Sequence, residues 1–72
     1  MQIIEGRDIQ VGDVIRSAAM RREREVKDIH PSSTGNTVEV RVEGEYVDPW
    51  YRIGVASKVR LYSRIEEIEE ER

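Results

Sequence analysis

Few residues in this 72-residue chain are of the types that carry out chemistry, and their spacing forms no catalytic set. The single histidine, His30, has no acid or base placed beside it by the sequence to form an acid–base pair. Asp8, Asp13 and Asp48 are scattered without the spacing of metal ligands, and turn formation explains them better. The lack of cysteine excludes a thiol nucleophile, a zinc–thiolate site and a disulfide framework. We therefore expect a protein that is not an enzyme and that holds no metal or cofactor.

The densest cluster of positive charge is the basic segment, defined by Arg21, Arg22, Arg24 and Lys27. Arginine offers a planar fork of donors that suits phosphates. However, Glu23, Glu25 and Asp28 are interleaved with these cations, so the segment has little net charge for an electrostatic footprint on a nucleic acid. A solvated surface with exposed ion pairs is the simpler interpretation. Nucleic-acid binding by the basic segment remains an alternative, because a strand would place Arg22 and Arg24 on one face.

The chain has four aromatic side chains: Tyr46, Trp50, Tyr51 and Tyr62. If residues 50–56 form a strand, Tyr51 points inward and Trp50 points outward, and a strand at residues 59–62 turns Tyr62 outward. Exposed aromatic rings bind peptides and stack on bases. We predict that Trp50, Tyr62 and Tyr46 form a surface that binds a partner. The alternative is that Trp50 covers one end of a small core.

The size and charge of the chain limit both its fold and its partners. Seventy-two residues make one domain with a small core. Residues 1–65 are near neutral, with eleven basic and ten acidic side chains, whereas residues 66–72 contain five glutamates and one arginine. We predict one domain over residues 1–65 and an acidic tail over residues 66–72. The net charge of −3 excludes a uniformly basic nucleic-acid binder.

Apolar residues are too dispersed for a membrane span of about 20 residues, and the start of the chain lacks the features of a signal peptide. We expect a soluble, cytoplasmic protein with no membrane partner. No motif points to a small-molecule substrate.

Strict alternation of apolar and polar side chains indicates β-structure. In residues 37–43, valines at 38, 40 and 42 alternate with charged side chains, which is typical of a strand with one buried face. Turn-forming residues at 31–36 precede this run, so we expect an earlier strand within residues 23–30. Residues 50–56, 59–62 and 14–16 show further strand patterns.

Residues 17–29 allow two interpretations. Alanine, methionine, arginine and glutamate favour a helix that begins at Ser17. The competing interpretation is a hairpin with a polar tip at Arg21 and Arg22, followed by a bulged strand that turns Val26 and Ile29 inward. We favour the hairpin, because Arg22 interrupts the apolar face that such a helix would need.

The sequence predicts about five short strands, and the sequence Val-Gly-Asp-Val-Ile at residues 11–15 opens the first of them. With this pattern the chain resembles the SH3-like small β-barrels, including the KOW- and Tudor-like domains. The chain is also similar to small uncharacterised barrel proteins of bacteria and phages. The resemblance covers residues 9–63 and implies an all-β, five-stranded barrel, with no functional residue carried over. The alternative fold is α+β, with one helix at 17–29 on a three-stranded sheet.

These observations together predict a small binding module that mediates protein–protein interaction or self-association. An exposed strand edge offers a docking site for another chain. The alternative function is a nucleic-acid-binding regulatory module that uses the basic segment.

Overall fold

The computed structural model describes residues 1–64 and shows six antiparallel strands and one 3-10 turn. The elements are β1 (Gln2–Glu5), the 3-10 turn (Gly6–Asp8), β2 (Val14–Arg16), β3 (Arg24–Pro31), β4 (Thr37–Val42), β5 (Trp50–Gly54) and β6 (Lys58–Ser63). The all-β prediction is confirmed, but the predicted number of five strands is wrong because β1 was not anticipated. The acidic tail lies outside the described residues, and the domain limit at residue 65 stays a prediction.

The strands form one sheet in the order β1-β6-β2-β3-β4-β5. One face of this sheet is apolar, because alternate side chains of each strand point to the same side. In β4 the three valines at 38, 40 and 42 are buried, and in β6 Val59 and Leu61 are buried. These side chains join those of the other strands in one hydrophobic core. The two outer strands, β1 and β5, are not paired with each other, so the sheet is not closed.

The 3-10 turn that follows β1 covers part of the opposite edge of the sheet. The amide of Gly6 donates to the carbonyl of Ser57 (2.9 Å), just before β6, and the amide of Arg7 donates to the carbonyl of Val55 (3.0 Å), just after β5. A Cβ atom on residue 6 would overlap the carbonyl oxygen of Gly54, so glycine is required for this close approach. The two edges of the sheet are therefore linked by the turn, although no strand ladder joins them.

Residues 17–29 do not form a helix, so the α+β alternative is wrong. Residues 17–23 form a turn, and β3 follows it with a register shift between Val26 and Asp28. Val26 is buried and Ile29 packs partly against the core, as the bulged hairpin predicted. Met20 was not expected to contribute, yet it is buried in the core, which anchors the turn.

A buried carboxylate joins the start of β2 to the end of β6. Gly12 has a φ of 97°, which turns the chain and brings Asp13 into the interior. The Asp13 carboxylate accepts bonds from Nε and Nη2 of Arg64, both at 2.9 Å, and from the amide of Gln10 at 2.9 Å. Arg64 also donates from Nη2 to the carbonyl of Asp8. Asp13 is thus a turn residue, as expected, and also the buried half of an ion pair with the partly exposed Arg64.

Replacement of Asp13 by asparagine should lower the free energy of unfolding by about 1–3 kcal/mol, because it removes the charge from a buried, charge-assisted set of hydrogen bonds. Urea denaturation followed by circular dichroism measures this change. Asp8→Asn is the matched control, since Asp8 is exposed and accepts only one long bond from the Glu5 amide (3.3 Å). Equal effects of the two substitutions would contradict the structural role of Asp13.

Candidate binding surfaces

Three large apolar side chains are exposed within five consecutive positions where the chain enters β5. Tyr46 is 90% exposed, Val47 is 74% exposed and Trp50 is 44% exposed. We call these three side chains the aromatic patch. Trp50 points outward, as the alternation predicted, so it does not close the end of the core. Exposed apolar side chains that are neighbours in the chain mark a site of interaction more strongly than scattered ones.

The loop that carries the aromatic patch is held by hydrogen bonds at its base. Asp48 accepts from Nη1 of Arg41 at 2.9 Å and from the amide of Gly44 at 3.1 Å. The amide of Val42 donates to the carbonyl of Pro49 at 3.0 Å. These bonds close the loop across its two ends, so Tyr46 and Val47 are displayed on an anchored loop.

Beside the aromatic patch, β5 presents an open backbone edge. Two bonds fix the hydrogen-bonding phase between β4 and β5: Val42 N–H to Pro49 C=O, and Val55 N–H to Asn36 C=O. In an antiparallel ladder, residues alternate between bonding the partner strand and facing away from it. Trp50 and Arg52 therefore direct their N–H and C=O groups away from β4, toward the edge. The 3-10 turn lies against residues 53–55, so the free part of the edge is Trp50–Arg52.

On the outer face of the sheet, Trp50 packs against the imidazole ring of His30. Its ring centroid lies 4.9 Å from that of His30, with a tilt of 34°. Nε2 of His30 lies 3.5 Å from a carboxylate oxygen of Asp28. Across the strands, Arg52 pairs with Glu39 at 3.1 Å. The patch is thus bordered by polar and charged side chains, which is the arrangement of an apolar centre with a polar rim.

Tyr62 does not belong to the aromatic patch. It is 40% exposed on β6, and three strands separate β6 from β5 in the sheet. It lines a separate hollow of about 380 Å³ together with Met1, Gln2 and Arg64. The structure therefore exposes Tyr46 and Trp50 at the start of β5 and places Tyr62 on a different strand.

The basic segment is divided by the structure. Arg21 and Arg22 are exposed on the turn before β3. Arg24 is half-buried and donates from Nη1 to the carbonyl of Glu43 at 2.8 Å. Lys27 lies 3.6 Å from the Glu25 carboxylate. Only two of the four cations are therefore without a polar or acidic partner in the described part of the chain.

A second group of cations was missed by the sequence analysis. Arg16, Lys58 and Arg60, together with the apolar Ile3 and Ala18, line a groove of about 390 Å³, which we call the cationic groove. Arg16 and Arg60 lie directly opposite each other across the β2–β6 ladder. The signal was present in the predicted closing strand, where charged residues alternate with Val59 and Leu61. The spacing of residues in the sequence could not predict that this strand pairs with β2.

The remaining polar candidates have local structural contacts. The hydroxyl groups of Ser32 and Thr34 lie 3.1 Å from each other in the β3–β4 turn. Within residues 1–64, no three histidine or carboxylate side chains are grouped so that they could hold a metal ion. The same part of the chain has no helix of sufficient length and apolar character to cross a membrane.

Comparisons with protein-family models, with curated proteins and with solved structures give no match to this chain. The binding surfaces are therefore interpreted from their own geometry.

Replacement of Asp48 by alanine should loosen the loop that carries the aromatic patch, because it removes the acceptor of Arg41 and of the Gly44 amide. We expect faster hydrogen–deuterium exchange at Gly44 and neighbouring loop amides, with the exchange of β6 amides unchanged. Glu45→Ala is the control, since Glu45 is exposed in the same loop. Unchanged loop exchange in the Asp48 variant would show that these bonds do not hold the loop.

Proposed function

We propose that the protein is a non-enzymatic binding module that adds an extended segment of another protein chain to the edge of β5. The observation that supports it best is the coincidence of an open backbone edge, at Trp50 and Arg52, with the exposed aromatic patch. Backbone hydrogen bonds at such an edge supply affinity, and neighbouring side chains supply specificity. The resemblance to SH3-like domains and a cytoplasmic location remain part of the proposal.

The free edge sets the length of the segment that can bind. Trp50 and Arg52 together offer two N–H donors and two C=O acceptors, which is the pairing capacity of a short strand. The tyrosine and valine of the patch lie immediately before this edge in the chain and can contact the side chains of the bound segment. A second copy of the chain is one possible source of the segment, because two β5 edges can pair around a two-fold axis.

The alternative function, nucleic-acid binding by the basic segment, has less support. Arg24 is bonded to the Glu43 carbonyl, so it would have to give up an existing partner, and the carboxylate of Glu25 beside Lys27 reduces the local positive charge. Arg21 and Arg22 alone offer few phosphate contacts, and affinity for nucleic acid depends on the number of such contacts.

The proposal is tested with a phage-displayed library of random dodecapeptides, selected on the immobilised full-length chain. Binding of a selected peptide, synthesised with a fluorescent label, is then measured by anisotropy. Sedimentation equilibrium over a range of protein concentrations shows whether a second copy occupies the same edge. Absence of both selected peptides and self-association would overturn the proposal.

Arg52→Pro should abolish peptide binding or self-association, because proline removes the outward N–H in the middle of the free edge while the β4 ladder does not use that group. Arg52→Ala is the matched control, since it removes the same side chain and its ion pair with Glu39 but keeps the N–H. We expect the alanine variant to bind within a few-fold of the original chain. Circular dichroism verifies that both variants fold. Equal binding by the two variants would exclude addition to the strand edge.

Trp50→Ala should weaken peptide binding by about 30-fold or more, as expected for an aromatic side chain that dominates an interface. Tyr62→Ala serves as the comparison, because it removes another half-exposed aromatic side chain that lies outside the patch. We expect Tyr62→Ala to leave peptide affinity unchanged. If both variants lose the same affinity, the patch is not the specific contact.

A further inference from the structure

The cationic groove holds an unfavourable arrangement of charge in the free protein. Arg16 on β2 and Arg60 on β6 are directly opposite in the ladder and therefore lie on the same face of the sheet. Like charges directly opposite each other destabilise a sheet. Within residues 1–64 the structure gives neither arginine an ion pair with a carboxylate, although Nε of Arg16 donates to the Met20 carbonyl at 3.4 Å. An anion seated between the two guanidinium groups would relieve this repulsion.

The charge continues along β6. Lys58 precedes Arg60 by two positions, so both side chains lie on the outer face and are spaced by about 6.7 Å. Lys58 has one acidic neighbour, Glu5, at 3.3 Å, and its side chain is 69% exposed. Such an exposed ion pair contributes little and exchanges readily for another anion. Three cations in one groove, two along β6 and one opposite on β2, favour a ligand with several negative charges over a single anion.

An aromatic side chain lies on the same face of β6 as Lys58 and Arg60. Tyr62 follows Arg60 by two positions and also faces outward. The cationic groove is lined by residues 58–60 of β6, and the hollow that Tyr62 lines involves the residues that follow, 61–64. A run of cations next to an exposed aromatic ring fits phosphates followed by a stacked base.

The pairing of β6 distinguishes this surface from the edge of β5. Because β6 is paired with β1 at residues 58–61 and with β2 at residues 60, 61 and 63, it has no continuous free edge for a peptide strand. An acidic peptide in the groove would leave its own backbone without a partner in the sheet. A single nucleic-acid strand needs no such pairing, since phosphate contacts and base stacking hold it.

We propose that the cationic groove and Tyr62 bind a single-stranded nucleic acid along the outer face of β6. Arg16, Lys58 and Arg60 contact phosphates, and Tyr62 stacks on a base. This proposal is independent of the peptide-binding function, because the two surfaces share no residue.

The test measures fluorescence anisotropy of a fluorescein-labelled octamer of deoxythymidine with the full-length chain. With three phosphate contacts, affinity should fall about 20-fold between about 50 and 200 mM salt. Arg60→Gln should weaken binding and reduce the slope of log affinity against log salt by about 0.7. Tyr62→Ala should weaken binding by about 5- to 100-fold with the salt slope unchanged, since stacking carries no charge.

Arg52→Gln is the matched control, because it makes the same change of charge on β5, away from the groove. Its affinity and salt slope should equal those of the original chain. The proposal is overturned if the octamer does not bind at about 50 mM salt or if Arg52→Gln acts like Arg60→Gln. It is also overturned if an octaglutamate peptide binds the groove more tightly than the oligonucleotide, which would identify an acidic peptide as the ligand. Trp50→Ala should impair peptide binding but leave oligonucleotide binding intact. Either proposal can therefore be rejected without rejecting the other.

Discussion

An open β-sheet has two edges, and the way in which backbone groups at those edges are satisfied determines what this small protein can bind. One edge is β1, which extends the sheet beyond β6. The chain then leaves β1 and reaches the end of β5, where the amides of Gly6 and Arg7 bond to carbonyls of the β5–β6 connection. This 3-10 turn covers residues 53–55 and leaves Trp50–Arg52 free. Natural proteins usually protect exposed edges. A free edge beside exposed aromatic side chains therefore supports the proposal that this edge binds a partner.

The two surfaces differ in the chemistry that they can offer. The β5 edge combines free backbone groups with apolar side chains, which suits an extended peptide. The outer face of β6 offers no continuous free strand edge and carries cations with one aromatic ring, which suits a polyanion with bases. Both surfaces depend on the same hydrophobic core. Alternate side chains of each strand are buried in this core, so the remaining side chains of the strand lie on the outer face of the sheet.

Local patterns in the sequence predicted the strands that alternate strictly, since a period of two residues reflects one buried face. The valines of β4 are the clearest example, and the bulge after Val26 was also predicted, from the three-residue spacing between inward positions. The strand β1 was missed because four residues are too few for a periodic signal. The buried pair of Asp13 and Arg64 was missed because its members are separated by 51 positions.

The proposed binding surfaces were also predictable only in part, because some of their residues are far apart in the sequence. The alternation identified Trp50 and Tyr62 as outward, but only the strand order shows that they lie on different parts of the sheet. The basic segment drew attention because its charges are consecutive. Arg16 and Arg60 are far apart in the chain and meet only through the β2–β6 ladder, so charge counted along the sequence could not reveal the cationic groove.

The central claim is that Trp50 and Arg52 present unpaired backbone groups at the edge of β5. Amide hydrogen exchange of the free protein, resolved residue by residue by nuclear magnetic resonance, tests it most directly. The amides of Tyr51 and Ile53, which face β4, should be protected, whereas those of Trp50 and Arg52 should exchange rapidly. Protection of Trp50 and Arg52 in a monomeric sample, or the opposite alternation along β5, would contradict the account.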